Sequence, residues 1–108
     1  YATTRTTMWR EMLKTRAFEN GVYLAACNKV GLEGEWTFGG TSLIVDPLGE
    51  ILGEASGTED DTIAATLDRD AVRDARRRYP AMRDRRPDLY GAITTEMDRI
   101  PRPDEGES

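Results

Sequence analysis

Apolar residues at Trp9, Leu13 and Ala17 fall four apart, with Met8 and Met12 beside them, while Arg10, Glu11 and Lys14 face the other way. This spacing predicts an amphipathic helix with one stripe turned to a core, opened by Thr6 or Thr7 as its N-cap. Arg16 to Asn20 finish the helix, and Gly21 stands where a left-handed C-terminal cap is wanted. The next residues, Val22 to Cys27, form a nearly continuous apolar run bounded by polar residues, which predicts a covered strand. Asn28 to Gly40 then breaks the pattern. It holds four glycines with Glu33, Glu35, Trp36 and Phe38 among them and is expected to be a long functional loop, because the two aromatics argue against disorder.

Regular alternation returns at Ser42 to Asp46 and Glu50 to Gly53, joined by Pro47-Leu48-Gly49, a hairpin signal. Asp60 to Leu67 alternates again, with Ile63, Ala65 and Leu67 against Thr62, Ala64 and Thr66, and is expected to complete a three-stranded meander. Asp68 or Asp70 caps a short helix through Arg78 with Ala71, Val72 and Ala75 inward, and Pro80 ends it. From Ala81 the chain reads as an extended arm through Tyr90, then a short helical stretch at Ala92 to Arg99. Residues 1–100 are thus expected to belong to one domain, and residues 101–108 to a disordered acidic tail.

Composition narrows the chemistry. A chain of 108 residues without histidine lacks the commonest metal ligand and general base, so zinc sites and Ser-His-Asp catalysis are excluded. One cysteine cannot form an internal disulfide. A net charge of -5 disfavours nonspecific binding to nucleic acid, and no apolar run reaches the roughly 18 residues needed to span a bilayer. The expectation is a soluble, cytoplasmic protein. Because the chain starts at Tyr1 rather than Met, directly ahead of a helix, it is expected to be either a processed product or a piece of a longer polypeptide, the second being the favoured reading.

Cys27 is the obvious nucleophile to consider, but it ends an apolar run in a chain without histidine, so it is read as a buried structural residue. Glu33 and Glu35 are spaced too loosely in a Gly-rich segment to fix an acid-base pair, and a solvated face is the simpler reading. Arg16 and Glu19 are placed to pair along the first helix and Asn20 to bond the strand entry, as buried architecture. Gly39, Gly40 and Gly49 serve tight turns. The arginines from Arg73 to Arg86 are interleaved with Asp70, Asp74, Asp84 and Asp88 and lack stacking aromatics, which favours an ion-paired surface or subunit contact over nucleic-acid binding.

Three motifs occur in order: Arg16-Ala17-Phe18-Glu19-Asn20, Asn28-Lys29-Val30-Gly31, and Phe38-Gly39-Gly40-Thr41-Ser42-Leu43-Ile44-Val45-Asp46-Pro47-Leu48-Gly49. Together they resemble the C-terminal half of the carbon-nitrogen hydrolase (nitrilase) superfamily, over about Trp9 to Tyr90. The resemblance implies an α+β fold, part of a four-layer α-β-β-α sandwich, to which this chain gives a helix, a strand, a β-meander, a second helix and an extended arm. It implies hydrolysis of amide-type carbon-nitrogen bonds by a Glu-Lys-Cys triad, whose cysteine lies upstream of the Arg16 to Asn20 helix, so no triad residue is assigned here. It is most similar to N-carbamoyl amino acid and N-carbamoylputrescine amidohydrolases, whose substrates are small amides or N-carbamoyl compounds and which need no cofactor or metal. It makes Glu33, Trp36, Phe38 and Thr41 candidates for shaping the substrate pocket; where Thr41 stands, carbamoylase-like relatives carry histidine. It also implies that the arm, with Arg85, Arg86, Leu89 and Tyr90, reaches a partner subunit in a homo-oligomer. The rival reading is a noncatalytic interaction module pairing through its sheet face and the arginine arm.

Overall fold

The computed structural model describes residues 2–97. Helix α1 runs over Ala2–Asn20, so Thr6 and Thr7 lie inside it rather than capping it. Its stripe is the expected one in part. Ala17 is buried, and Trp9 and Leu13 pack beside it, but Met8 and Met12 lie on the exposed side. The end of α1 is closed by a left-handed glycine: Gly21 has φ +59°, its N–H donates to the Phe18 carbonyl at 3.2 Å, and the Val22 N–H donates to the Ala17 carbonyl at 3.1 Å. This is the paired bonding of a Schellman cap, which satisfies carbonyls that the helix end would leave open. Arg16 and Glu19 do pair, at 3.3 Å, but on the solvent face instead of in buried architecture. Asn20 does not reach the strand; its amide donates back to the Arg16 carbonyl at 2.8 Å.

Strands β1 (Leu24–Ala26), β4 (Leu43–Val45) and β5 (Ile51–Glu54) form one antiparallel sheet in the order β1-β4-β5. Leu43 and Val45, on the face toward α1, are fully buried with Ala17, and Leu24 and Ile51 pack around them. Arg10 reaches across from α1 to Glu54 at 3.4 Å. The β4–β5 turn follows its residue chemistry. Pro47 is fully buried, Gly49 takes φ +81° and donates to the Asp46 carbonyl at 3.0 Å, and the Asp46 carboxylate accepts from the Leu48 and Glu50 N–H groups at 2.8 and 2.9 Å.

Two expected elements are different in the structure. The stretch Asn28 to Gly40 is not a loop but a second, two-stranded sheet, β2 (Val30–Glu33) paired with β3 (Trp36–Gly39). Asp60 to Leu67 is not a strand, so the meander is absent and β1 takes the third place in the sheet. The alternation there is physical as far as Ala65: Ile63 and Ala65 are half-buried, Thr62, Ala64 and Thr66 are exposed, and Ile63 packs over the open Cα of Gly53, whereas Leu67, expected inward, is exposed. Alternation reports one covered side, and a covered side does not require a ladder of backbone bonds.

Helix α2 (Arg69–Arg78) starts at Asp68, whose carboxylate accepts the Asp70 N–H at 2.9 Å, and buries Ala75 with Ala71 and Val72 half-covered. It is fastened to the end of α1 and to the residue just ahead of β1: the Tyr79 ring lies 5.0 Å from that of Phe18, and the Tyr23 hydroxyl accepts the Asp68 N–H at 3.1 Å. Beyond Pro80 the arm is not simply extended. It folds into 3-10 turns at Pro87–Leu89 and Gly91–Thr94 whose side chains all remain exposed. The end of the helical stretch expected to reach Arg99, and the acidic tail at 101–108, lie outside the described residues. No helix among the described residues is long and apolar enough to cross a membrane.

Candidate functional site

The β2–β3 hairpin projects from the body on a base built by Asn28 and Gly40. The Asn28 side-chain amide donates to the Gly40 carbonyl at 2.8 Å, its backbone N–H donates to Ser42 Oγ at 2.8 Å, and the Gly40 N–H donates to the Lys29 carbonyl at 2.8 Å. Gly40 has φ +56°, and a Cβ there would sit 2.2 Å from Val30 Cγ1 and 2.8 Å from the Ser56 carbonyl oxygen. The F-G-G-T segment therefore turns where only glycine fits.

Thr41 continues that turn at φ +64°, an unusual conformation for a β-branched residue, and is buried. Each of its polar groups is bonded: the N–H to the Ser56 carbonyl (3.2 Å), the hydroxyl to the Gly39 carbonyl (3.0 Å), and its own carbonyl to the indole N–H of Trp9 (3.0 Å). The last bond ties α1 to the crossover from hairpin to sheet.

Between α1 and the hairpin runs a groove of about 640 Å³ lined by Met8, Trp9 and Met12 on the helix side, Trp36 and Phe38 on the hairpin side, and Asn28 at the base. Of the four residues expected to shape a pocket, the structure brings Trp36 and Phe38 to this groove and leaves two apart from it. Thr41 lies beneath it with its hydroxyl turned back on the backbone, and Glu33 pairs with Lys29. Asn28, Met8, Trp9 and Met12 were not among the expected pocket residues. A signal for Asn28 existed, since an amide immediately ahead of a Gly-rich segment is suited to bond its backbone; for the methionines, the i, i+4 spacing beside the apolar stripe was read as core.

Cys27 is exposed at the end of β1, which corrects its expected burial: the outer end of a three-residue strand has no layer above it. The lining of the groove offers aromatic, thioether and amide groups, with the Arg5 guanidinium and the Thr6 and Thr37 hydroxyls beside them. Such a surface shapes and orients a ligand and does not move protons. The arm residues are remote from it: Arg86 pairs with Asp88 at 3.0 Å, Arg85 donates to the Met82 carbonyl at 2.9 Å, Tyr90 accepts the Arg86 N–H at 3.0 Å, and Leu89 is exposed.

Residues 1–77 match the sequence profile of the family described as carbon-nitrogen hydrolase. Among solved structures, a carbon-nitrogen hydrolase from Helicobacter pylori G27 is 34% identical with a TM-score of 0.79, over 86% of this chain and 34% of that one. This chain belongs to the carbon-nitrogen hydrolase family. Its relatives include the protein named hydrolase in agr operon of Staphylococcus lugdunensis, 39% identical over 76% of this chain and 35% of its own length. The N-carbamoylputrescine amidase of Arabidopsis thaliana is 37% identical over 81% and 32%, and the 2-oxoglutaramate amidase of Paenarthrobacter nicotinovorans is 37% identical over 82% and 30%. The chain thus spans about a third of the length of the curated relatives it matches.

Proposed function

We propose that this chain is the C-terminal part of an enzyme that hydrolyses a non-peptide carbon-nitrogen bond in a small amide or N-carbamoyl compound. The observation that carries this reading is the groove between α1 and the hairpin, built on the Asn28 and Gly40 motif residues, in a chain that spans a third of relatives named as amidases. In this reading a Glu-Lys-Cys triad comes from polypeptide beyond these 108 residues. The glutamate takes the thiol proton as the cysteine sulfur attacks the carbonyl carbon, the lysine stabilises the oxyanion of the tetrahedral intermediate, the proton goes to the nitrogen that leaves as the carbon-nitrogen bond breaks, and water then cleaves the thioester to free the cysteine. This chain supplies the apolar wall, with Trp36, Phe38, Met8 and Met12 holding the substrate and excluding water. The exposed arm, with Arg85, Arg86, Leu89 and Tyr90, docks on a second subunit.

The test is ammonia release from N-carbamoylputrescine, N-carbamoyl amino acids and 2-oxoglutaramate. Turnover is expected from a polypeptide carrying this sequence behind its upstream portion, and none from the 108-residue chain. Turnover by the chain alone that vanishes in Cys27→Ala would overturn the assignment of the nucleophile to an upstream segment. A longer polypeptide inactive on all three substrate types, yet folded, would favour a noncatalytic interaction module.

A further inference from the structure

We propose that an arginine-lined cavity on α2 is a binding site for a compact oligophosphate anion, held by Arg69, Arg73, Arg76 and Arg77. The site shares no lining residue with the groove and does not depend on the hydrolase reading.

Residues 69–86 hold eight of the chain's fifteen basic residues and three of its twenty acidic ones, so positive charge is gathered on one short segment of an acidic chain. On α2, Arg69, Val72, Arg73 and Arg76 follow the i, i+3, i+4, i+7 spacing of a single helix face, with Arg77 beside it. Together with Pro80 and Arg83 from the turn that follows, they line a cavity of about 520 Å³. Arg83 pairs with Asp84 at 3.2 Å. Arg69, Arg73, Arg76 and Arg77 make no ion pair with any described residue, although Asp70 and Asp74 stand on the same helix. The ion pairing expected of this segment is thus found beyond Pro80 and not on α2.

Such an arrangement works against the helix that carries it. Arg69 with Arg73, and Arg73 with Arg77, are like charges at i, i+4, which repel. Arg69 is also the first residue of α2, where the helix dipole disfavours a cation. The dipole accounts for Arg76, Arg77 and Arg78 in the last turn and leaves Arg69 and Arg73 unexplained. An anion in the cavity would remove the repulsion and give each guanidinium an acceptor. Arg76 is already set in place: its Cγ lies 2.8 Å from where a Cβ on Gly21 would stand, so its stem crosses the glycine that ends α1.

The lining selects the ligand. Arg69 and Arg77 are separated by ~12 Å along the helix axis, more than one phosphate can bridge, so the anion carries several charged groups in a row. Guanidinium forks bond phosphate oxygens in pairs. None of the lining residues is aromatic, so nothing in the cavity stacks a base, and the phosphate chain itself is recognised, whether free or borne by a nucleotide.

Calorimetric titration at fixed ionic strength, on the 108-residue chain and on the longer polypeptide, tests this with tripolyphosphate, orthophosphate, citrate and adenosine triphosphate. Tripolyphosphate is expected to bind both proteins saturably, about tenfold or more tighter than orthophosphate or citrate, with adenosine triphosphate within about threefold of it. In the isotope-labelled chain it should shift the backbone amides of α2 and leave those of β2 and β3 in place. Replacing Arg73 and Arg77 together by Gln should weaken tripolyphosphate by about tenfold, replacing both by Lys should restore part of the loss, and Arg10→Gln, on α1, should leave the affinity unchanged. Equal affinities for tripolyphosphate, orthophosphate and citrate, or an unchanged affinity in the double Gln variant, would overturn the site. So would adenosine triphosphate binding more than about tenfold tighter than tripolyphosphate, which would place recognition on the base. Binding by the chain that is absent from the longer polypeptide would show this face to be covered there and would overturn the site as well. Should the double Gln variant lose its folded spectrum, Arg73→Gln alone and the anion series on the unmodified chain decide.

Discussion

The three-stranded sheet and the β2–β3 hairpin are made of strands of three or four residues, yet their environments are opposite. In β4, Leu43 and Val45 are fully buried beneath α1; in the hairpin, Leu32 and Trp36 are 78% and 74% exposed. The first region is held by removal of apolar surface from water, the second by a few directed bonds at its base from Asn28 and Gly40. The groove lies between the hairpin and α1, the helix that covers the first region. Rigidity comes from the sheet, and the chemistry of the surface from the hairpin, which is the usual division between scaffold and binding element.

The strongest test of that contrast is Leu43→Ala, which leaves a void under α1 and should cost about 2–5 kcal/mol, read as a lower midpoint in urea unfolding followed by circular dichroism. Gly40→Val attacks the junction. The left-handed backbone alone should cost about 1–3 kcal/mol, and the overlap with Val30 and the Ser56 carbonyl adds to it, so a melting temperature equal to that of the unmodified chain would show the hairpin base to be slack.

Trp9→Phe keeps the ring in the α1 stripe but removes its bond to the Thr41 carbonyl. It should cost about 0.5–1.5 kcal/mol, and loss of hydrogen-exchange protection at the Thr41 amide would locate the effect at the crossover. The smallest effect is expected at the hairpin tip, where Leu32→Ser should stay within about 0.5 kcal/mol in the same urea titration. A larger loss there would mean the hairpin is part of the cooperative core after all.

The same contrast explains what was legible in the sequence. The β4–β5 hairpin and α2 could be read almost to the residue, because Pro47, Gly49, Asp68 and Pro80 each act locally, through φ restriction or a side-chain cap. The motif residues likewise pointed to the family. The β2–β3 hairpin was hidden because Gly31, Gly34 and Glu33 dilute any alternation, and its strands bury too little to need an apolar pattern. Asp60 to Leu67 showed the reverse error, a pattern without a pairing partner. Within the groove, Trp36 and Phe38 could be nominated through the family resemblance of the motifs around them. The separation of Glu33 and Thr41 from it could not, because that depends on a lysine at the foot of the hairpin and on a left-handed threonine locked by Trp9.

The exposure of Cys27 has a practical side. A single accessible thiol one residue ahead of the Asn28 clip is an attachment point for a dye or spin label at the seam between scaffold and hairpin. It is equally a place where air oxidation can join two copies covalently. Any dimer seen without reductant therefore has two possible origins, a bridge at Cys27 or docking of the arm, and dithiothreitol separates them by dissolving only the first.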